Sequence, residues 1–139
     1  MSFREKSAWV TLVSVLLCFG VYFGTVLPRW ARGDTGTSFW LLASCVHAFV
    51  LLQLGLQLAA WWTTPKDGRS QRDERERMIQ ARSHTIGYYL LAVLVLAIGV
   101  PMHLGHMHAP QLMTFALLDL VVTALVVSVA QIVMFRRGF

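Results

Sequence analysis

The chain has 139 residues and a formal net charge of +5, with 56% of its residues hydrophobic and 14% charged, against about a quarter charged in a soluble domain. This composition, with a mean hydropathy of +0.59, excludes a disordered chain, a disulfide scaffold and an ordinary soluble enzyme domain, and the length suits a single domain. The positive charge alone would suit a nucleic-acid binder, but the placement of the charges gives it another meaning.

Four apolar stretches cover about 8–27, 39–62, 85–104 and 111–135. Each reaches the roughly 20 residues that a helix needs to cross a hydrocarbon core about 30 Å thick. None contains Lys, Arg or Glu, and Asp119 is the one acid inside any of them. Lipid offers backbone groups no hydrogen-bond partner, so such runs must be helical. The expected fold is an all-α integral membrane bundle of four transmembrane helices, one domain over 1–139.

The first stretch follows Arg4 and Lys6 and ends at Leu27-Pro28-Arg29-Trp30. Its apolar core is longer than that of a signal peptide and no small-x-small cleavage site follows, so it reads as a retained helix. Gly20 and Gly24 form a GxxxG spacing, which permits close helix contact within the bundle or in a dimer. The second stretch carries Gln53 and Gln57, four apart and on one face, which with Gln131 of the fourth stretch suit interhelical hydrogen bonds. Cys18 and Cys45 lie mid-span without CxxC spacing and read as small buried hydrophobes.

A charged segment, 63–84, separates the second and third stretches. Pro65 and Gly68 end the preceding helix. Ser70 and Asp73 match a capping-box spacing, and Asp73 and Glu74 lie four and three residues before Arg77, placing opposite charges on one helical face. No breaker lies between Asp73 and Tyr89, so one long helix is expected to lead from this segment into the third span. Arg72, Arg75, Arg77 and Arg82 are the candidate docking residues for a cytoplasmic partner or anionic lipid. The stretch Asp73-Glu74-Arg75-Glu76-Arg77-Met78-Ile79, with Arg82 and Ile86-Gly87-Tyr88-Tyr89, resembles a motif of small bacterial four-helix membrane proteins grouped as a domain of unknown function (DUF2178-type). That resemblance covers about 20 residues and the hairpin-loop-hairpin layout. It implies a bacterial inner-membrane protein without an assigned activity, and no catalytic residues.

Between the third and fourth stretches lies Met102-His103-Leu104-Gly105-His106-Met107-His108. Imidazole suits zinc, copper and iron, and thioether sulfur suits Cu(I). His103, His106, His108 and Met107 are therefore candidate metal ligands, with copper, zinc or haem as the cofactor. The alternative is an interfacial turn that binds nothing. His103 and His106 share a face only if the helix persists past Pro101 and Gly105.

Deeper in the spans, His47 and Asp119 each lie about eight residues from the same boundary, roughly 12 Å down at 1.5 Å per residue. The two could pair as a proton relay or simply as an interhelical tie.

Ten of the twelve basic residues fall at the N-terminus, in 63–84 or at Arg136 and Arg137. By the positive-inside rule both termini are cytoplasmic. Trp9, Trp61, Trp62, Tyr88 and Tyr89 at that end, and Trp30, Phe39 and Trp40 at the other, form two aromatic belts. The net charge is thus a topology signal, and no nucleic-acid partner is expected. Enzyme motifs are absent. The expected protein is a non-enzymatic accessory or regulatory subunit of a bacterial inner membrane, in contact with lipid and with a second copy or a larger membrane complex. The alternatives are a metal- or haem-binding protein and a small transporter or channel subunit with a His–Asp proton path.

Overall fold

The computed structural model describes residues 3–34, 39–63, 74–105 and 109–137. They form four helices: α1 (Phe3–Ala31), α2 (Phe39–Trp62), α3 (Glu74–His103) and α4 (Ala109–Arg137). No strand occurs among the described residues. At 1.5 Å per residue, α1, α3 and α4 are each about 45 Å long and α2 about 36 Å. All four are long and apolar enough to cross a membrane.

α1, α4 and the start of α3 overrun their apolar stretches because nothing in those flanks breaks them, while α2 matches its stretch. α3 starts at Glu74, among the arginines, and continues into the third span without interruption, as the lack of a breaker before Tyr89 predicts. The Ser70–Asp73 capping spacing and Arg72 lie outside the described residues. α1 ends in a Schellman motif: Gly33 takes φ +84, its N–H donates to Trp30 O (2.9 Å), and Asp34 N–H donates to Arg29 O (3.0 Å). A glycine supplies that left-handed conformation without a Cβ clash. Gly105, at φ +75, ends α3 in the same way, with its N–H on Met102 O at 3.0 Å.

α1 packs against both α2 and α4, and α4 also packs against α3. The first and fourth helices therefore form the centre, with α2 and α3 on the flanks. The apolar cluster joins Val15, Phe19, Tyr22, Phe23 and Val26 of α1 to Cys45 of α2 and Val121 of α4. Phe19 meets Phe49 at 5.5 Å and Trp30 meets Phe115 at 5.6 Å between ring centroids.

The surface, unlike that of a water-soluble bundle, is largely apolar, and hydroxyls join the apolar core. Leu17, Val21, Leu51, Leu54, Val93 and Leu96 are all exposed. Ser14, Ser83, Thr114, Asp119 and Ser128 are buried. Leucine outside and hydroxyl inside is the arrangement expected when hydrocarbon replaces water as the solvent.

Small groups permit the closest contact. A Cβ at Gly87 of α3 would collide with Val127 Cγ2 of α4, so only glycine fits there without a shift. Gly20 and Gly24 behave differently: a Cβ at either meets nothing within 4 Å. Their GxxxG spacing takes no part in packing within the chain.

Candidate functional site

Polar side chains gather in two places: a charged collar at one end of the bundle, and the interior below it.

The collar joins three helices. Arg4 Nη1 lies 3.0 Å from Glu76 Oε2, tying α1 to α3. This is an ion pair whose angle falls short of a hydrogen bond, since Nη1 has no hydrogen-bond partner. Arg136 Nε lies 3.9 Å from Glu5 Oε1, and its guanidinium sits 5.5 Å from the centre of the Trp9 ring. The start of α1, the start of α3 and the end of α4 thus meet at one end. Among the candidate docking residues, Arg75, Arg77 and Arg82 are exposed on the first turns of α3. Trp61, Trp62, Tyr88 and Tyr89 are exposed at the same end, and Trp40 at the other, as the two belts require.

Below the collar, amide side chains cross between helices. Gln57 Nε2 donates to Ser7 Oγ at 2.6 Å, and Gln53 Nε2 to Thr11 Oγ1 at 2.9 Å. Both link α2 to α1, as the four-residue spacing of the glutamines anticipates. Gln131 Nε2 of α4 donates to Ser83 Oγ of α3 at 3.1 Å. Ser128 Oγ donates to Ala124 O, back within its own helix.

Four buried oxygens in this region have no partner: Ser14 Oγ, Gln53 Oε1, Asp119 Oδ2 and Thr123 Oγ1. Ser14 is fully buried and Asp119 is 6% exposed. Asp119 was legible as a rare intramembrane acid. Ser7, Thr11, Ser14 and Thr123 were not singled out, although 7, 11 and 14 repeat at helical spacing and 123 lies one turn from 119.

The structure does not bring His47 and Asp119 together. His47 lies on the exposed face of α2, and its Nδ1 is 2.7 Å from Ala43 O, one turn back in the same helix. The pairing that their depth allowed, as a relay or as a tie, is therefore not made. A local carbonyl satisfies the imidazole, while the carboxylate points into the bundle.

The histidine turn is only partly described. His106, Met107 and His108 lie outside the described residues. His103 is exposed at the end of α3, beside an apolar groove formed with Leu96, Gly99 and Val100. Met102 and Met113 are exposed as well. α3 ends at His103, ahead of the left-handed Gly105. Among the described residues no three His, Cys, Asp or Glu side chains converge as a metal site would need. Cys18 and Cys45 are free thiols, half-buried and buried.

The chain matches no protein-family model, and no curated protein or solved structure is similar to it.

Proposed function

We propose that this is a small non-enzymatic protein of a bacterial inner membrane, with both termini on the cytoplasmic side, that works as an accessory or regulatory subunit of a larger membrane complex. The observation that carries this reading is the extension of α3. Its apolar part, from Thr85, is about 29 Å long, which alone matches the hydrocarbon core. The eleven residues from Glu74 to His84 project beyond it as helix, fixed at Glu76 by Arg4. Arg77 and Arg82 stand exposed on that projection. A rigid, arginine-bearing rod at the cytoplasmic surface suits an acidic face of a partner, or anionic headgroups beside one.

Two experiments test the reading. Reporter fusions at each end, active only in the cytoplasm, should both be active; activity at one end alone would overturn the topology. Native electrophoresis of mildly solubilised membranes should show the protein in a complex well above its own mass, and Arg77→Glu with Arg82→Glu should release it. Migration of the unaltered protein at its own mass would overturn the subunit role.

A further inference from the structure

Between α1, α3 and α4 lies a cleft of about 370 Å³. Ser7 and Thr11 line it from α1, His84 from α3, and Thr123, Ser128 and Gln131 from α4. One water needs about 10–15 Å³ of such space, so several fit. Its rim, Ser7, His84 and Gln131, lies next to the charged collar. Arg4 and Arg136 there face Glu76 and Glu5, while Arg82 stands exposed two residues before His84.

From the rim, oxygens lead inward. Thr123 Oγ1 lacks a partner. Asp119 is one helical turn further along the same face of α4, with Oδ2 also unpartnered. Ser14, three residues past Thr11 on α1, adds a third unpartnered oxygen. A polar atom left bare in an apolar medium is costly, and a run of water reaching these atoms removes the cost. Ionisable groups at membrane depth face protein or water and mark ion pathways.

The donor set also narrows the ligand. The unpartnered atoms are hydroxyl, amide and carboxylate oxygens, which suit hard cations and not soft ones. Only one of them is a carboxylic acid, which suits a single positive charge. No other carboxylate lies in the four apolar stretches, and Tyr22 and Cys18 of α1 sit in or against the apolar cluster. α1 has none between Lys6 and Cys18, and α3 has only Tyr88, Tyr89 and His103 after His84. His47 of α2 faces outward, and Cys45 is enclosed by the apolar cluster.

We propose that this cleft is a hydrated path by which a monovalent cation, a proton or sodium ion, reaches Asp119 from the collar end. Asp119 is the counter-charge, Thr123 and Ser14 hold the intervening water, and His84 stands at the entrance.

Cysteine labelling tests the water. Single cysteines replace Thr11, Thr123 or Ser128 in the Cys18→Ala, Cys45→Ala protein, and a charged, membrane-impermeant thiol reagent is added to inside-out vesicles. Leu17→Cys and Val21→Cys serve as lipid-facing controls. They match the depth of Ser128 and Thr123, because Trp9 and Trp30 of α1 pair with Arg136 and Phe115 of antiparallel α4; Val13→Cys, exposed two residues from Thr11, is the control for that position. Only the thiolate reacts, and it forms where water reaches sulfur, so the cleft positions should label at least about tenfold faster than the controls. Equal rates would overturn the hydrated path. Proteoliposomes of the full chain test the cation, with imposed proton or sodium gradients read by ion-sensitive dyes. One of the two ions should move, and Asp119→Asn should abolish that movement while Asp119→Glu retains part of it. Labelling without flux of either ion, or flux unchanged in Asp119→Asn, would overturn the role of Asp119.

Discussion

Gln131 Nε2 donates to Ser83 Oγ at 3.1 Å, and the same hydroxyl donates onward to Gln80 O at 2.9 Å. Ser83 is fully buried, so this relay is the polar tie between α4 and α3. In lipid the alternative for the amide is another partner, not water, and ties of this kind contribute about 0.6 kcal/mol on average. A double-mutant cycle of Gln131→Leu and Ser83→Ala, read by unfolding in detergent micelles, should give a coupling energy of about 0.6 kcal/mol and below about 2. Strict additivity would mean that the relay contributes nothing.

Gly87 should be the least replaceable glycine. Its added Cβ meets Val127 Cγ2, and a valine has little rotamer freedom in a helix. Gly87→Ala should lower stability by about 1–3 kcal/mol through overpacking, and Val127→Ala in the same chain should recover part of the loss. Gly20→Ala and Gly24→Ala add a methyl to open space and should hold or slightly raise the melting temperature of the monomer, since alanine is the better helix former. Thermal melts of the four proteins separate these outcomes.

His47 should be dispensable to the fold. Its ring is exposed and reaches only the carbonyl of its own preceding turn. His47→Ala should change stability by less than about 0.5 kcal/mol, the range for surface substitutions away from special features. His47→Ala should also leave any ion flux in proteoliposomes as it was, in contrast to Asp119→Asn. A flux lost equally in both variants would restore the direct His–Asp relay.

The Arg4–Glu76 pair should respond to salt. Both side chains are 20% exposed, so the attraction is partly screened, and Glu76→Gln should cost about 0.5 kcal/mol at low ionic strength. The difference from the unaltered protein should shrink as sodium chloride is raised towards 1 M, where the screening length falls to about 3 Å. A cost that ignores salt would assign the contact to packing of the arginine stem.

The spans, the long third helix and the glutamine cross-ties were legible because each is a local property. Hydropathy is summed over neighbours, a missing breaker between 73 and 89 is visible residue by residue, and four-residue spacing puts Gln53 and Gln57 on one face. The lateral order of the helices was not legible. α2 and α3 are apolar nearly all round, so no periodicity says which face meets protein and which meets lipid. The same ambiguity misplaced His47, since depth along an axis can be counted but rotation about it cannot. Ser14 and Thr123 escaped notice because single hydroxyls are ordinary in membrane helices. Their importance comes from neighbours on other helices. Only Asp119 announced itself, as the one acid that hydrocarbon should have excluded.

The central pairing of α1 with α4 has a consequence for the order of synthesis. Two hairpins, α1–α2 and α3–α4, can close as soon as each pair has been inserted. The surface of α1 that receives α4 must meanwhile wait at the translocation machinery or against lipid until the fourth helix arrives. A ribosome stalled after the third span would therefore leave a half-built molecule with that surface of α1 uncovered.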